Sequence, residues 1–520
     1  MRYLSSNARP VRKRPTMPDM SAPVAATTVP PARPVPRRIV FAGAMLSMLL
    51  AALDQNIVNT ALPRMVADLG GMAHLSWVVT AFMLSSTVTT PLYGKLSDTY
   101  GRRKLFLVAI GLFLAGSFLC GAAGSMGQLI LFRALQGLGA GGLLVLAQAS
   151  VGDVIPPRER PRYQGLFTGV FALASVAGPL LGGFITSAFS WRWVFYVNLP
   201  LGAVALLLIG FGLRTPPSGQ RKPLDLPGVL LMAGFTATLL LYLAWGGTEF
   251  PWASLPSAGM AALVLLLLIG FLWRESRAED PLVRLGLFRN PVFARGVAVG
   301  GMMVFAMLGS TVFLPLYFQL VLGMTPAGAG AMMLPQVAGM VLTSILGGQA
   351  AARLGKNKIF LLWGIGLEAV ALCGLAAFSW LAAPPAVFLV ALALLGLGMG
   401  MGMPNLTTAV QNAVAYKELG AATGAMTFLR SLGGAVGVAA SGAILAARLV
   451  GPVDVEAITR GGAAALTALT PEQHAVLSNA YRTALLGCFT LSAVVMTAAF
   501  FLVLGLPEQT LRASVEESPA

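Results

Sequence analysis

The sequence predicts an all-α integral membrane protein: two bundles of six helices with two more helices inserted between them, fourteen spans in all. Three observations carry that expectation. Of 520 residues, 57% are hydrophobic and only 10% charged, with a mean hydropathy of +0.79, far from the balance of a water-soluble domain. Apolar runs of about twenty residues, the length that crosses bilayer hydrocarbon as a helix, follow one another almost from end to end. Features of the first half also recur in the second at an offset of about 250 residues, as in duplicated membrane bundles.

Residues 1–36, rich in Pro, Arg, Ala and Thr and without periodicity, read as a disordered basic tail. They do not read as a signal peptide, because no small-residue cleavage pattern follows the first apolar run. Charged or Gly/Pro-rich breaks then delimit spans near 37–61, 75–96, 105–123, 129–150, 163–187 and 194–213, a first bundle over 37–213. A polar break, RTPPSGQRKPLD, opens a segment, 214–291, with two inserted spans near 226–247 and 257–274 and the connection WRESRAEDPLVRLGLFRNP. Six more spans, near 294–320, 327–350, 358–381, 386–408, 423–446 and 481–505, make a second bundle over 292–505, and 506–520 forms a C-terminal tail. The repeat shows in two places. GKLSDTYGRRK (94–104) matches GQAAARLGKNK (348–358), with equally spaced glycines, and the first span ends TALP (60–63) where its counterpart has VFLP (312–315).

The formal charge of +16 would invite a nucleic-acid reading in a soluble chain, but here topology explains it. In this threading 28 of the 35 Lys and Arg fall in the N-terminal tail and alternate connections, while Arg64, Arg192, Arg448, Arg460 and Arg482 lie opposite. Both termini are therefore expected to be cytoplasmic, in a multi-pass protein of the plasma membrane, with the positive face toward anionic lipid. Cys120, Cys373 and Cys488 sit in apolar runs without paired spacing and are expected to be core packing residues. His74 and His474 fall near or in polar connections, which leaves carboxylates as the proton carriers inside the membrane. No nucleophile–base set, Walker loop or metal-ligand cluster stands out, so neither an enzyme nor an ATP-driven pump is expected. The expected partners are a small-molecule substrate, protons and the lipid bilayer, with no cofactor beyond a proton gradient, no nucleic acid, and a monomeric state.

GKLSDTYGRRK reads as a short basic turn in which Gly94 permits close helix contact and Gly101 a tight reversal. Arginines alone could mark any positive-inside loop, but Asp98 and the glycines call for a latch, with Asp98 pairing to Arg102 or to a neighbouring helix. This stretch resembles the signature of the major facilitator superfamily. LDQNIVNTALP (53–63), LFRALQGLGAGG (131–142), AGPLLGG (177–183) and WRWVFYVNLPLG (191–202) look like motifs of its fourteen-helix drug/proton antiporter branch. The resemblance implies the major facilitator fold and a cytoplasmic latch of Gly94, Asp98, Gly101, Arg102, Arg103 and Asp153. It also implies an antiporter motif at Gly178, Pro179, Gly182 and Gly183, and a part in proton transfer for Arg133. The second copy departs by having Ala352 where Asp98 stands, so only the first half is expected to carry the full latch.

A charge inside hydrocarbon needs a reason, costing about 2.5–3.5 kcal/mol on insertion scales. Asp54 lies roughly 24 Å along a helix from Arg38, and Arg133 begins the fourth span, so both fall in the same half of the bilayer and can meet. As a structural residue Asp54 would stay ionised and paired. As a coupling residue, with burial opposing its charge and Arg133 favouring it, it could change protonation as access alternates. Ala174, Gly178 and Gly182, four apart, make a face on which another helix can pack. Gln55, Asn59, Gln136, Gln319, Gln336, Asn405, Glu368 and Arg430 are candidates for the substrate cavity, with Glu368 on a helix expected to be peripheral. Together these point to a proton-coupled antiporter exporting lipophilic, often cationic molecules by rocker-switch motion, a multidrug efflux protein of the kind that confers antibiotic resistance. The rival on the same fold is an exporter of an endogenous lipid, siderophore or secondary metabolite. A non-transporting membrane sensor is disfavoured, because the chain has no sizeable domain outside the membrane.

Overall fold

The computed structural model describes residues 37–70, 74–213, 225–247, 249–381, 383–448 and 470–511. The tail 1–36, most of the break at 214–224, Arg460 and residues 512–520 lie outside the described residues. The elements are α1 (Arg37–Leu69), α2 (Leu75–Tyr100), α3 (Arg102–Gly121), α4 (Met126–Val154), α5 (Arg160–Ala188), α6 (Trp193–Gly212) and the inserted α7 (Leu226–Trp245) and α8 (Leu255–Arg277). There follow α9 (Pro291–Thr311), α10 (Leu334–Leu354), α11 (Lys358–Trp380), α12 (Pro385–Asn412), α13 (Leu419–Arg448) and α14 (Pro471–Leu504).

Among the described residues thirteen helices are long and apolar enough to cross a membrane. The remaining long helix, α2, lies outside that set and carries Ser85, Ser86, Thr89 and Thr90 mid-span. Those hydroxyls donate back to their own helix, Ser85 to Ala81 O at 2.8 Å and Thr90 to Ser86 O at 2.7 Å, which satisfies them within the span.

The last span starts earlier than expected, at Pro471 and not near 481, and two more boundaries move at the paired proline motifs. Pro63 does not end the first span: α1 runs on to Leu69, beyond the point where TALP suggested a stop. Its counterpart does break, since α9 stops at Thr311 and a separate short helix, Leu314–Leu320, starts with Pro315 in its first turn, where a missing N–H costs nothing. One expectation about the cysteines also fails. Cys120 and Cys488 are buried, but Cys373 is exposed on α11, because a lipid-facing surface is as apolar as a bundle interior and hydropathy alone does not separate them.

In the first half, α1 packs on α4, α5 and α6, and α4 on α2 and α3. In the second, α12 packs on α10 and α11, and α9 on α13 and α14. The halves meet along two seams, α2 against α13 and α5 against α10. Glycine makes both possible. A Cβ at Gly94 would lie 2.5 Å from the carbonyl oxygen of Gly420, and one at Gly348 would lie 2.4 Å from that of Pro161. The hydrogen bonds across the seams, such as Ser344 Oγ to Gly165 O at 3.1 Å, fall toward the end of the molecule that carries Asp98. That end is closed.

Candidate functional site

Two polar clusters occupy the places where the sequence put charge in the membrane. The first lies inside the first bundle. Asp54, on α1, is wholly buried and its carboxylate is fully engaged: Oδ2 is 2.6 Å from Arg133 Nη1, while Oδ1 accepts from Gln136 Nε2 and Asn198 Nδ2, each at 2.8 Å. Arg133 is held in turn by Gln136 Oε1 at 2.9 Å and by the Val78 carbonyl at 3.2 Å, with the Phe82 ring 4.0 Å beneath its guanidinium. A second layer fixes Asn198, which donates to Ser117 Oγ at 3.0 Å while that hydroxyl donates to Phe195 O. A buried ion pair survives only when its remaining donors and acceptors are satisfied, and breaking one by removing a partner costs about 3–5 kcal/mol.

Asp54 and Arg133 therefore meet, and Gln136 joins them directly. Asn198 and Ser117 are the members that sequence reasoning missed. A signal existed, a lone asparagine opening the apolar run NLPLGAVALLLIGFG, yet nothing local tells that it points toward α1. In this conformation the cluster faces the interior of its own bundle and not the seam, so Asp54 does not touch anything held between the halves. Its neighbours on α1 differ: Gln55 and Asn56 are half-buried and Asn59 is exposed.

The second cluster closes the Asp98 end. Gly101, at φ 90°, turns the chain from α2 into α3 and so sets Arg102 beside Asp98, with Nη2 3.2 Å from Oδ1. Arg102 is also in direct ion-pair contact with Asp153 at the end of α4. Asp98 crosses the seam. Its Oδ1 and Oδ2 accept from the backbone N–H groups of Gly420 and Ala421, at 3.0 and 2.8 Å, in the first turn of α13. Free N–H groups at a helix start are a natural place for a carboxylate, so the acid serves as an anchor supplied by the opposite half. Gly94, Asp98, Gly101, Arg102 and Asp153 come together here. Arg103 does not: it is exposed and projects away from the cluster, because one residue further along α3 rotates the side chain to the outer face.

The remaining sequence-predicted residues do not converge. Gly178 and Gly182 let α5 settle on α1, where added Cβ atoms would strike Asn56 and Thr60, while Pro179 and Gly183 face outward. Gln336 Nε2 lies 3.6 Å from Met399 Sδ, Asn405 donates to Met401 O at 2.8 Å, and Arg430 Nη2 donates to Thr407 Oγ1 at 3.1 Å, all within the second bundle. Gln319 donates to Pro315 O of its own short helix. Glu368 is 1% exposed, wedged against Gly398 and Gly402 of α12, and its Oε1 has no hydrogen-bond partner. Among the described residues no group of three or more His, Cys, Asp or Glu is placed to hold a metal ion.

The chain has its counterpart among known proteins: the sequence profile of the Major Facilitator Superfamily matches residues 44–438. The chain belongs to this family. It is a multi-pass membrane transporter and not an enzyme. The transporter is 37% identical over 412 residues to the multidrug transporter protein MdtP of Bacillus subtilis, covering 79% of this chain and 76% of that one. It is 34% identical over 353 residues to the MFS-type transporter of the acurin A biosynthesis cluster of Aspergillus aculeatus, covering 66% and 64%. Among solved structures, the human organic anion transporter MFSD10 superposes with a TM-score of 0.62 over 90% of this chain and 99% of that one, at 18% identity, a likeness of fold.

Proposed function

We propose that the transporter is a proton-coupled antiporter that exports lipophilic, often cationic molecules across the plasma membrane, with both termini cytoplasmic and the Asp98 end inward. The observation that carries this reading is the sealed Asp54–Arg133–Gln136–Asn198 cluster, an acid and its counter-charge placed where hydrocarbon makes them costly. A purely structural tie would be cheaper in apolar residues of similar volume.

The chemistry follows from charge balance. With Asp54 ionised, Arg133 holds α4 against α1 and the polar layer of α6 closes around the pair. When a proton neutralises the carboxylate, the attraction that fixes Arg133 is lost and the first bundle can repack. Substrate binding between the halves and proton binding inside one half are then alternatives, coupled through the helices that share both. Closure of one end by Asp98 on α13 is the other requirement of alternating access, and the two seams supply it. One charge moved through 100 mV is worth about 2.3 kcal/mol, and tenfold in concentration about 1.4 kcal/mol, so one net charge sustains roughly a fortyfold gradient. That is enough for resistance to a toxic compound.

The multidrug relative favours a broad drug range, and the biosynthesis-cluster relative favours a single endogenous metabolite. A drug panel set against extracts of the producing cell, both read as proton flux from proteoliposomes, separates the two. For coupling itself, Asp54→Asn should abolish pH-driven efflux while leaving gradient-free counterflow of the same substrate. Unchanged pH-driven efflux would overturn the proton assignment.

A further inference from the structure

The inserted helices α7 and α8 sit over one of the seams. Met232 and Phe235 of α7 and Val264 and Phe271 of α8 form an apolar cluster with Phe428 and Leu432 of α13, and Leu92 of α2 packs against it. One hydrophobic cluster thus spans both halves where α2 crosses α13. Beyond α8 the chain does not drift away. Glu275, 3% exposed, accepts from the backbone N–H of Leu282 at 3.3 Å and of Val283 at 3.0 Å, folding residues 278–290 back along the closed end.

Along that segment charges alternate across the seam. Lys95 Nζ of α2 is 2.5 Å from Asp280 Oδ1, and Asp280 Oδ1 is 3.8 Å from Arg284 Nη2. Arg284 Nη1 is in turn 2.5 Å from Glu418 Oε1, just before α13. Lys95 follows the seam glycine Gly94, and Glu418 stands two residues before Gly420, whose N–H Asp98 holds. We infer that the segment joining α8 to α9 is a charged strap, by which the inserted pair ties the first half to the second when the Asp98 end is closed.

The point of release follows from connectivity. On the second-half side the strap is continuous with α9, and Asn290 Nδ2 donates to Ala413 O at 3.0 Å besides the Arg284–Glu418 pair. On the first-half side Lys95–Asp280 makes the tie, with side-chain exposures of 9% and 13%, so it is less screened than Arg284–Glu418 at 47% and 22%. Opening this end must therefore part Lys95 from Asp280, while the strap travels with the second half. The inference rests on the fold and these contacts alone, and holds whether or not protons drive transport.

Distances between spin labels test it, at fixed pH and without a gradient. Labels go on Lys104→Cys and Lys356→Cys, exposed on the first and second halves, after Cys120, Cys373 and Cys488 are replaced by Ser. Asp280→Lys should raise the population with long separations about three- to tenfold, and the exchange Lys95→Asp with Asp280→Lys should restore the short separations. Glu418→Gln should give a smaller rise. Unchanged distances in Asp280→Lys, or a rise that the exchange leaves in place, would overturn the strap.

Discussion

The two seams between the halves are copies of one another with different fastenings. Each brings a glycine against the partner's backbone, Gly94 to Gly420 and Gly348 to Pro161, and each is followed by a positive-φ glycine, Gly101 at 90° and Gly355 at 67°. At α2–α13 the fastening is Asp98, nearly buried, on two N–H groups at a helix start, backed by Arg102 and Asp153. At α5–α10 the place of Asp98 is taken by Ala352, and the link comes from the other side. The exposed Arg158 donates to the carbonyls of Ala352 and Arg353, each at 3.3 Å. Duplication preserved the geometry of approach and not the chemistry of the lock. A carboxylate lock can be opened by charge, whereas a seam of backbone contacts opens only by moving helices.

That comparison can be broken at the glycines first. Gly94→Leu and Gly348→Leu each drive a side chain into backbone, so closure fails at either seam, and initial transport rates should fall at least about tenfold in both. A tolerant Gly348→Leu would show that the second seam need not close. Next comes the lock itself. Asp98→Asn keeps the shape but removes the charge from bonds worth about 1.5–3 kcal/mol each, so the open population at this end should rise roughly tenfold, read with the same pair of labels. The smallest effect belongs to the copy: Arg158→Ala removes long, exposed bonds and should change the open population less than about twofold. An effect of Arg158→Ala as large as that of Asp98→Asn would make the seams equivalent and void the contrast.

How far the residues could be read in advance depended on the range of the contact. Gly101 was legible as a turn and Gly94 as a close approach because both follow from the missing Cβ within one motif. Asp54 and Arg133 were legible as a pair because helical rise puts them at one depth. Asn198 and Ser117 were not, since an uncharged side chain costs less in hydrocarbon than a charge and so does not by itself demand a partner on another helix. Nor was the Lys95–Asp280 contact, made between residues 185 apart in the chain. Glu368 marks the opposite case. Its cost in hydrocarbon was evident from sequence, but only packing shows that two glycines of α12 leave it room.

By itself the sequence determined what each segment must do in a bilayer. Hydrocarbon offers no hydrogen bonds, so apolar runs of span length become helices, and charges left inside them must find partners. Which partner, and which face, was decided by the tertiary structure, because lipid and bundle interior are equally apolar and hydropathy carries no direction. That is why Cys373 lies on the lipid side, why Asp54 looks into its own bundle and not the seam, and why the connection from the second inserted helix to α9 ends up bridging the two halves.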